Sequence, residues 1–298
     1  MSTAFDLAAL RSWTDDGYAV LNGFIAPHTL AALRQRAAQI VDDFEPDAST
    51  SMFSTRDRSR VADAALLASA EAVHGFLEED AVDAQGRLQV PKARAVNKIG
   101  HALHELDPVF EPFSHGPELA RVASAIGLAC PQVWQSQLIF KQPRIGGEVG
   151  WHQDASFFHT EPPDCAGDGR AASAVLPVTT FWFALEDATL DNGCLWVQPG
   201  AHRGAAGVLR ERYVNDQGRL CMQPLDATPW PSLADARALP VAAGTLVVFH
   251  GLLPHCSAPN RSDRSRLAYT LHATDGRAGY AATNWLQRST QMPVRGFD

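Results

Sequence analysis

The chain has 298 residues, 46% of them hydrophobic, enough to bury a sizeable core in one or two domains. Its 25 basic and 33 acidic residues leave a formal net charge of −8. That balance argues against a broad nucleic-acid surface, which needs positive charge to displace counterions. No apolar run is long enough to cross a bilayer. The start, Met1-Ser2-Thr3-Ala4-Phe5-Asp6, has neither the basic nor the apolar region of a secretory signal. The end, Arg295-Gly296-Phe297-Asp298, is no peroxisomal or lipidation motif. The expectation is a cytoplasmic protein that binds neither membrane nor nucleic acid, monomeric by default. The five cysteines, Cys130, Cys165, Cys194, Cys221 and Cys256, are odd in number, widely spaced and free of C-x-x-C. They read as reduced thiols, not as a disulfide framework or a zinc site.

In chain order, Leu7 to Asp15 reads as a short helix and Tyr18-Ala19-Val20-Leu21 as a strand. Pro27 to Asp43 carries Leu30, Leu33, Ala37 and Ile40 at helical spacing. Phe44 to Gln89 is polar, with Ser49-Thr50-Ser51, an Arg56-Asp57-Arg58 cluster and an Ala-rich stretch. It is expected to form helices and a flap. Glu118 to Gly127 reads as a helix closed by its glycine. From Pro131 the pattern changes to short β-rich runs: Val133–Gln142, Val178–Leu185, Cys194–Gln198, Thr245–His250 and Arg266–His272. Gly146-Gly147, Asp191-Asn192-Gly193, Pro199-Gly200 and Asn260-Arg261-Ser262-Asp263 punctuate them. This rhythm predicts an α+β protein, mainly β, whose core is a double-sheet jelly roll over about 131–275. Helices of a largely helical part, 1–130, would pack on one sheet. With no internal repeat and no linker, the whole of 1–298 is expected to be one domain.

The triplet His152-Gln153-Asp154 and the distant His255 carry the chemistry. In an extended strand His152 and Asp154 share a face because side chains alternate. Two ligands from one strand end and a third from a remote strand make a facial set. Two imidazoles and a carboxylate, with no thiolate, suit Fe(II) and leave positions open for a small molecule and O2. The remote ligand is chosen from His202, His250, His255 and His272. With Val248–Ser257 and Arg266–His272 as strands, a register pairing Ser257 with Arg266 and His255 with Ala268 puts ligand, hydroxyl and guanidinium in one row. Arg266 offers a planar fork for a carboxylate, and Ser257 can donate a third hydrogen bond. Arg264 reads as a solvated turn residue, His202 as a turn residue with a structural hydrogen bond, and His250 and His272 as satisfied strand histidines. Cys256 should face away from the ligands.

The chain resembles the phytanoyl-CoA dioxygenase family of Fe(II)/2-oxoglutarate oxygenases. The match is carried by Gly147-Glu148-Val149, His152-Gln153-Asp154, the block Glu186-Asp187-Ala188-Thr189-Leu190-Asp191-Asn192-Gly193-Cys194-Leu195-Trp196, Pro199-Gly200-Ala201-His202, and His255-x-Ser257-x-x-Asn260-x-Ser262-x-x-x-Arg266. Asn97-Lys98-Ile99-Gly100-His101-Ala102-Leu103-His104, Ile139-Phe140-Lys141-Gln142-Pro143 and Asn284-Trp285-Leu286-Gln287 extend it over nearly the whole chain. The stretches 44–89 and 204–240 match poorly. The resemblance implies His152, Asp154 and His255 as iron ligands, and Lys98, Trp182, Ser257 and Arg266 as contacts of 2-oxoglutarate. Gln137 stands where a methionine touching the oxo acid is expected, so it either hydrogen-bonds the oxo acid or lines the pocket. From residue chemistry alone Lys98 would be a surface lysine and Trp182 strand core.

The reading is an Fe(II)- and 2-oxoglutarate-dependent dioxygenase that hydroxylates a small organic substrate with O2, releasing succinate and CO2. Trp151, Phe157, Phe158 and Trp196 are candidate pocket walls, with His159 beside them, and core packing is the alternative for each. A halogenase would lack the carboxylate ligand that Asp154 supplies. A non-catalytic jelly-roll sensor would have lost a ligand or the arginine, and both are present.

Overall fold

The structure is a computed structural model and describes residues 5–46, 52–53, 63–161 and 175–298. Ser49-Thr50-Ser51, Arg56-Asp57-Arg58 and Cys165 lie outside the described residues. Helices are α1 (Leu7–Asp16), α2 (Pro27–Asp43), α3 (Asp63–Ala68), α4 (Leu103–Leu106), α5 (Phe110–Ser114) and α6 (Pro117–Ile126). Strands are β1 (Tyr18–Leu21), β2 (Met52–Phe53), β3 (Val73–Glu78), β4 (Val96–His101), β5 (Pro131–Lys141), β6 (Val149–His152), β7 (Thr160–Glu161) and β8 (Thr179–Ala184). They continue with β9 (Leu195–Val197), β10 (Glu211–Asp216), β11 (Arg219–Pro224), β12 (Arg237–Leu239), β13 (Leu246–His250), β14 (His255–Ser257), β15 (Arg266–Asp275) and β16 (Gly279–Tyr280).

Local chemistry sets the helix ends. The Asp6 carboxylate accepts from the Ala9 amide at the start of α1, and Gly17 ends it at φ 83°. Only glycine fits there, because a Cβ would fall 2.4 Å from the His202 ring. Pro27 opens α2, which buries Leu33, Ala37, Ile40 and Val41 on one face.

Two sheets form the jelly roll. The large one runs β1-β13-β8-β15-β5-β4-β3-β2, and the small one β12-β9-β14-β6. The N-terminal part is therefore not only helical, since β1 to β4 extend the large sheet. On β8, Phe181 and Phe183 face the N-terminal helices, while Trp182 and Ala184 pack toward the small sheet. On β15, Leu267, Tyr269 and Leu271 join the helix side. The alternate positions Arg266, Ala268, Thr270 and His272 then point between the sheets, because side chains alternate along a strand.

The register expected for the ligand row is overturned. The chain leaves the large sheet after His250 and enters the small sheet at His255, so β13 and β14 are not one strand. His255 pairs with His152 and Val197, while Ala268 pairs with Ala184 and Ile139, and Arg266 with Lys141. His255 and Arg266 thus face one cavity from opposite sheets rather than standing along one sheet. The β10–β11 hairpin, unread in the sequence, turns at Gln217 and Gly218, both with positive φ. Cys130, Cys194, Cys221 and Cys256 are free thiols. No helix among the described residues is long and apolar enough to cross a membrane.

Phe183 is fully buried and meets Phe113 edge-on at 5.0 Å and Tyr269 at 6.0 Å. Phe183→Ala is expected to destabilise the protein by about 3–5 kcal/mol. Urea denaturation checks this as a lowered midpoint with an unchanged slope.

Candidate active site

His152 ends β6, Gln153 continues it with extended φ and ψ, and Asp154 opens a short 3-10 turn, Asp154–Ser156. Asp154 is thus outside the strand, contrary to the extended reading, yet the extended Gln153 keeps it on the side of His152. The Gln153 side chain points the other way and is fixed three times. Its Nε2 donates to Val208 O (3.0 Å) and Leu252 O (2.8 Å), and its Oε1 accepts from the Arg210 amide (3.1 Å). The middle residue of the triplet therefore pins the other two to the neighbouring loops.

His255 lies directly opposite His152 in the β14–β6 pair, with ring centroids 4.1 Å apart. Each imidazole Nδ1 lies at hydrogen-bond distance from a carbonyl two residues back, Gly150 O at 2.8 Å and Leu253 O at 3.0 Å. Carbonyls only accept, so both Nδ1 atoms carry the proton and both Nε2 atoms are lone-pair donors. Those Nε2 atoms lie 3.6 and 3.7 Å from Asp154 Oδ1. Ligand atoms of the three residues all fall within 4.8 Å of one another. Burial alone would raise the Asp154 pKa, but His255, His272 and His152 outweigh it and hold the carboxyl well below the usual carboxylate range. An ionised carboxylate and two neutral imidazoles without thiolate are a donor set that fits Fe(II).

A cavity of about 320 Å³ opens between the sheets beside this cluster. Arg266 lines it from β15, 2% exposed, with its guanidinium 5.7 Å from the Trp182 ring. Burial pulls its pKa down to about 10, so it stays charged at neutral pH. Among the described residues no hydrogen bond reaches its Nε or Nη1 and no carboxylate pairs with it. A buried guanidinium so placed fits a carboxylate ligand. Ser257, buried on β14, and Trp182 line the same cavity. Gln137 does too, and its amide donates to Gln135 Oε1 at 2.5 Å. Lys98 is buried, not a surface residue, with Nζ 5.0 Å from the Phe76 ring centroid.

Three residues were missed or misread. His272 is no isolated strand histidine: its Nε2 sits 3.6 Å from Asp154 Oδ2 and its ring stacks on Phe158. The Thr180 hydroxyl donates to the same Oδ2. Lys141, quoted in the sequence only as part of a motif, lies opposite Arg266 and donates to Gly147 O (2.5 Å) and, more weakly, to Ser257 O (3.4 Å). Periodicity along β5 and β15 puts Lys141 beside Arg266 only once the two strands are known to pair. Trp151, Phe157 and Phe158 line the cavity as expected, while Trp196 and His159 are not among its walls; Tyr213 and Trp285 also line it. Arg264 is exposed at the loop tip.

Burial lowers the Lys98 pKa to about 7 from an ordinary 10.5. Between these values the unfolded chain binds more protons than the folded one, so stability rises with pH from about 7 to 10.5. Urea unfolding of the apoprotein at pH 7 and pH 9.5 is expected to show that rise. Lys98→Met should flatten it in part, because burial and the neighbouring Arg266 lower Lys141 to about 7 as well.

These two sheets, antiparallel except for the parallel β2–β3 edge pair, and their packed helices are the jelly-roll fold of 2-oxoglutarate-dependent oxygenases. The crystal structure of EctD from S. alaskensis with 2-oxoglutarate and 5-hydroxyectoine superposes with a TM-score of 0.61 at 20% identity, covering 98% of this chain and 85% of that one. The chain belongs to the phytanoyl-CoA dioxygenase (PhyH) family, whose description matches residues 13–268. It is 40% identical over 279 residues to a phytanoyl-CoA dioxygenase of Arabidopsis thaliana, covering 93% of this chain and 91% of that one. It is 38% identical over 300 residues to phytanoyl-CoA dioxygenase domain-containing protein 1 of Bos taurus, covering 95% of each.

Proposed function

We propose that this chain, as one domain over 1–298, is an Fe(II)- and 2-oxoglutarate-dependent dioxygenase that hydroxylates a small organic substrate with release of succinate and CO2. One observation carries the reading. The His152–Asp154–His255 cluster and a buried Arg266, without a carboxylate partner among the described residues, face one cavity from opposite sheets. The cluster alone would fit several metals, and the arginine alone several anions.

In this reading His152 and His255 give Nε2 and Asp154 gives Oδ1 to the iron. Arg266 and Ser257 hold the distal carboxylate of the oxo acid, with Lys98, Trp182 and Gln137 as further contacts. When bound, iron with 2-oxoglutarate and O2 supplies the oxidising power that converts a C–H bond to C–OH. The protein's share is placement. The carbonyls of Gly150 and Leu253 fix the imidazole tautomers, Gln153 fixes the backbone between two ligands, and the buried guanidinium orients the oxo acid at low dielectric. Phe157, Phe158 and Trp151 wall the reacting space against water. Specificity is assigned to the poorly matching segments 44–89 and 204–240, of which the first lends Leu66 and the second Tyr213 to the cavity wall.

Anaerobic titration with Fe(II) and then 2-oxoglutarate should produce the weak visible charge-transfer band of the chelate. Arg266→Ala should need about 10- to 100-fold more 2-oxoglutarate, the loss of charge-assisted hydrogen bonds of about 1.5–3 kcal/mol. Asp154→Ala should release no succinate. A folded, iron-loaded wild type without the band would sink the oxo-acid site, and full turnover by Asp154→Ala would sink the ligand assignment.

A further inference from the structure

The Asp154 carboxylate has two differently occupied ends. Oδ1 faces the two imidazoles of the small sheet, His152 at 3.6 Å and His255 at 3.7 Å. Oδ2 faces the large sheet, where it accepts from the Thr180 hydroxyl and lies 3.6 Å from His272 Nε2. Thr180 and His272 are direct cross-strand partners in the β8–β15 pair, so one rung of the large sheet presents both groups to one oxygen. Both are buried, at 1% and 6% exposure. The His272 ring is held in turn by Phe158, stacked at 4.8 Å and 17°. Phe158 is tied back to Asp154, its amide donating to Asp154 O at 3.3 Å. The circuit closes on the carboxylate.

We infer that Thr180 and His272 are positioning residues for the metal ligand Asp154: they hold Oδ2 and leave Oδ1 alone to face the ion. This inference rests on the dioxygenase reading above and assigns the site a support that comes from the opposite sheet. At 3.6 Å the His272 contact is longer than a hydrogen bond, so the directional constraint comes from the Thr180 hydroxyl, and His272 blocks rotation sterically and electrostatically. Asp154 sits in a 3-10 turn past the end of β6, beyond the strand's ladder. Among the described residues its side chain has no hydrogen bond within the small sheet that would fix which oxygen points inward. Without the rung the carboxylate can turn about its Cβ–Cγ bond and present both oxygens, or neither, to the ion. A chelate that needs one oxygen at one place then loses preorganisation.

The test compares wild type with Thr180→Val, Thr180→Ser and His272→Phe. Anaerobic Fe(II) titration of each apoprotein gives the metal affinity, and urea unfolding of the same samples confirms the fold. Thr180→Val removes the hydroxyl at nearly constant volume and is expected to weaken Fe(II) binding about 10- to 100-fold, in line with other losses of a ligand's supporting partner. Thr180→Ser restores the hydroxyl and should bind Fe(II) within a few-fold of wild type. His272→Phe keeps the stack on Phe158 and should weaken Fe(II) binding in the same direction as Thr180→Val. At saturating Fe(II), the 2-oxoglutarate concentration that half-develops the visible band should stay near the wild-type value for Thr180→Val, because the oxo-acid anchor is untouched. Two outcomes would overturn the inference: folded Thr180→Val with wild-type Fe(II) affinity, or Thr180→Ser as weak as Thr180→Val. A wild type that binds no Fe(II) would overturn the dioxygenase reading itself, whatever the variants do.

Discussion

The direct opposition of His152 and His255 in the β6–β14 pair is the contact on which the rest depends. It brings two residues about a hundred positions apart in the chain to a ring separation of 4.1 Å. Forming it requires the chain to leave the large sheet after His250 and rejoin the small one at His255. That crossing is stabilised by the packing of Trp182, Val247 and Phe249 against Leu195 and Val197 between the sheets. The histidine pair is thus a product of sheet-on-sheet packing rather than of any local motif.

The large sheet works on both faces at once. β8 and β15 are buried throughout. One set of alternate residues, such as Phe181, Phe183, Leu267 and Tyr269, buries the helices, and the other carries the polar groups of the cavity. This arrangement gives the site a rigid wall, because every polar side chain on that wall is flanked by residues locked in the core. It also explains how a guanidinium can stand at Arg266 with no carboxylate partner among the described residues. The strand is held in register by its hydrophobic face, so the cost of burying the charge does not unfold the wall.

The two buried basic side chains Arg266 and Lys141 are cross-strand neighbours. Their mutual repulsion and their burial both act against charge, and Lys141 responds with a lowered pKa while Arg266 remains cationic. The lysine gives its hydrogen bonds to the carbonyls of Gly147 and Ser257, which lie near the ends of the strands that carry His152 and His255. One buried lysine stem therefore joins the strand that carries Arg266 to the strands that carry His152 and His255.

Much of this was legible in the sequence. The 3.6-residue spacing of Leu33, Ala37 and Ile40 specifies α2, and the residue types His152, Asp154, His255 and Arg266 specify the chemistry, because imidazole, carboxylate and guanidinium each have few roles when buried. Local propensity and donor type are properties of a residue and its near neighbours, so a linear reading reaches them. Register, burial and the choice of sheet are not. His272 looked like any strand histidine until β15 was set against β8, and Lys98 looked like a surface lysine until β4 was placed inside the large sheet. Thr180 has no mark in the sequence at all. Shifting a strand by one residue would exchange all its faces, and only the summed packing of distant side chains chooses between those registers. That choice put Thr180 and His272 on Oδ2 of Asp154, and it was made by the tertiary structure alone.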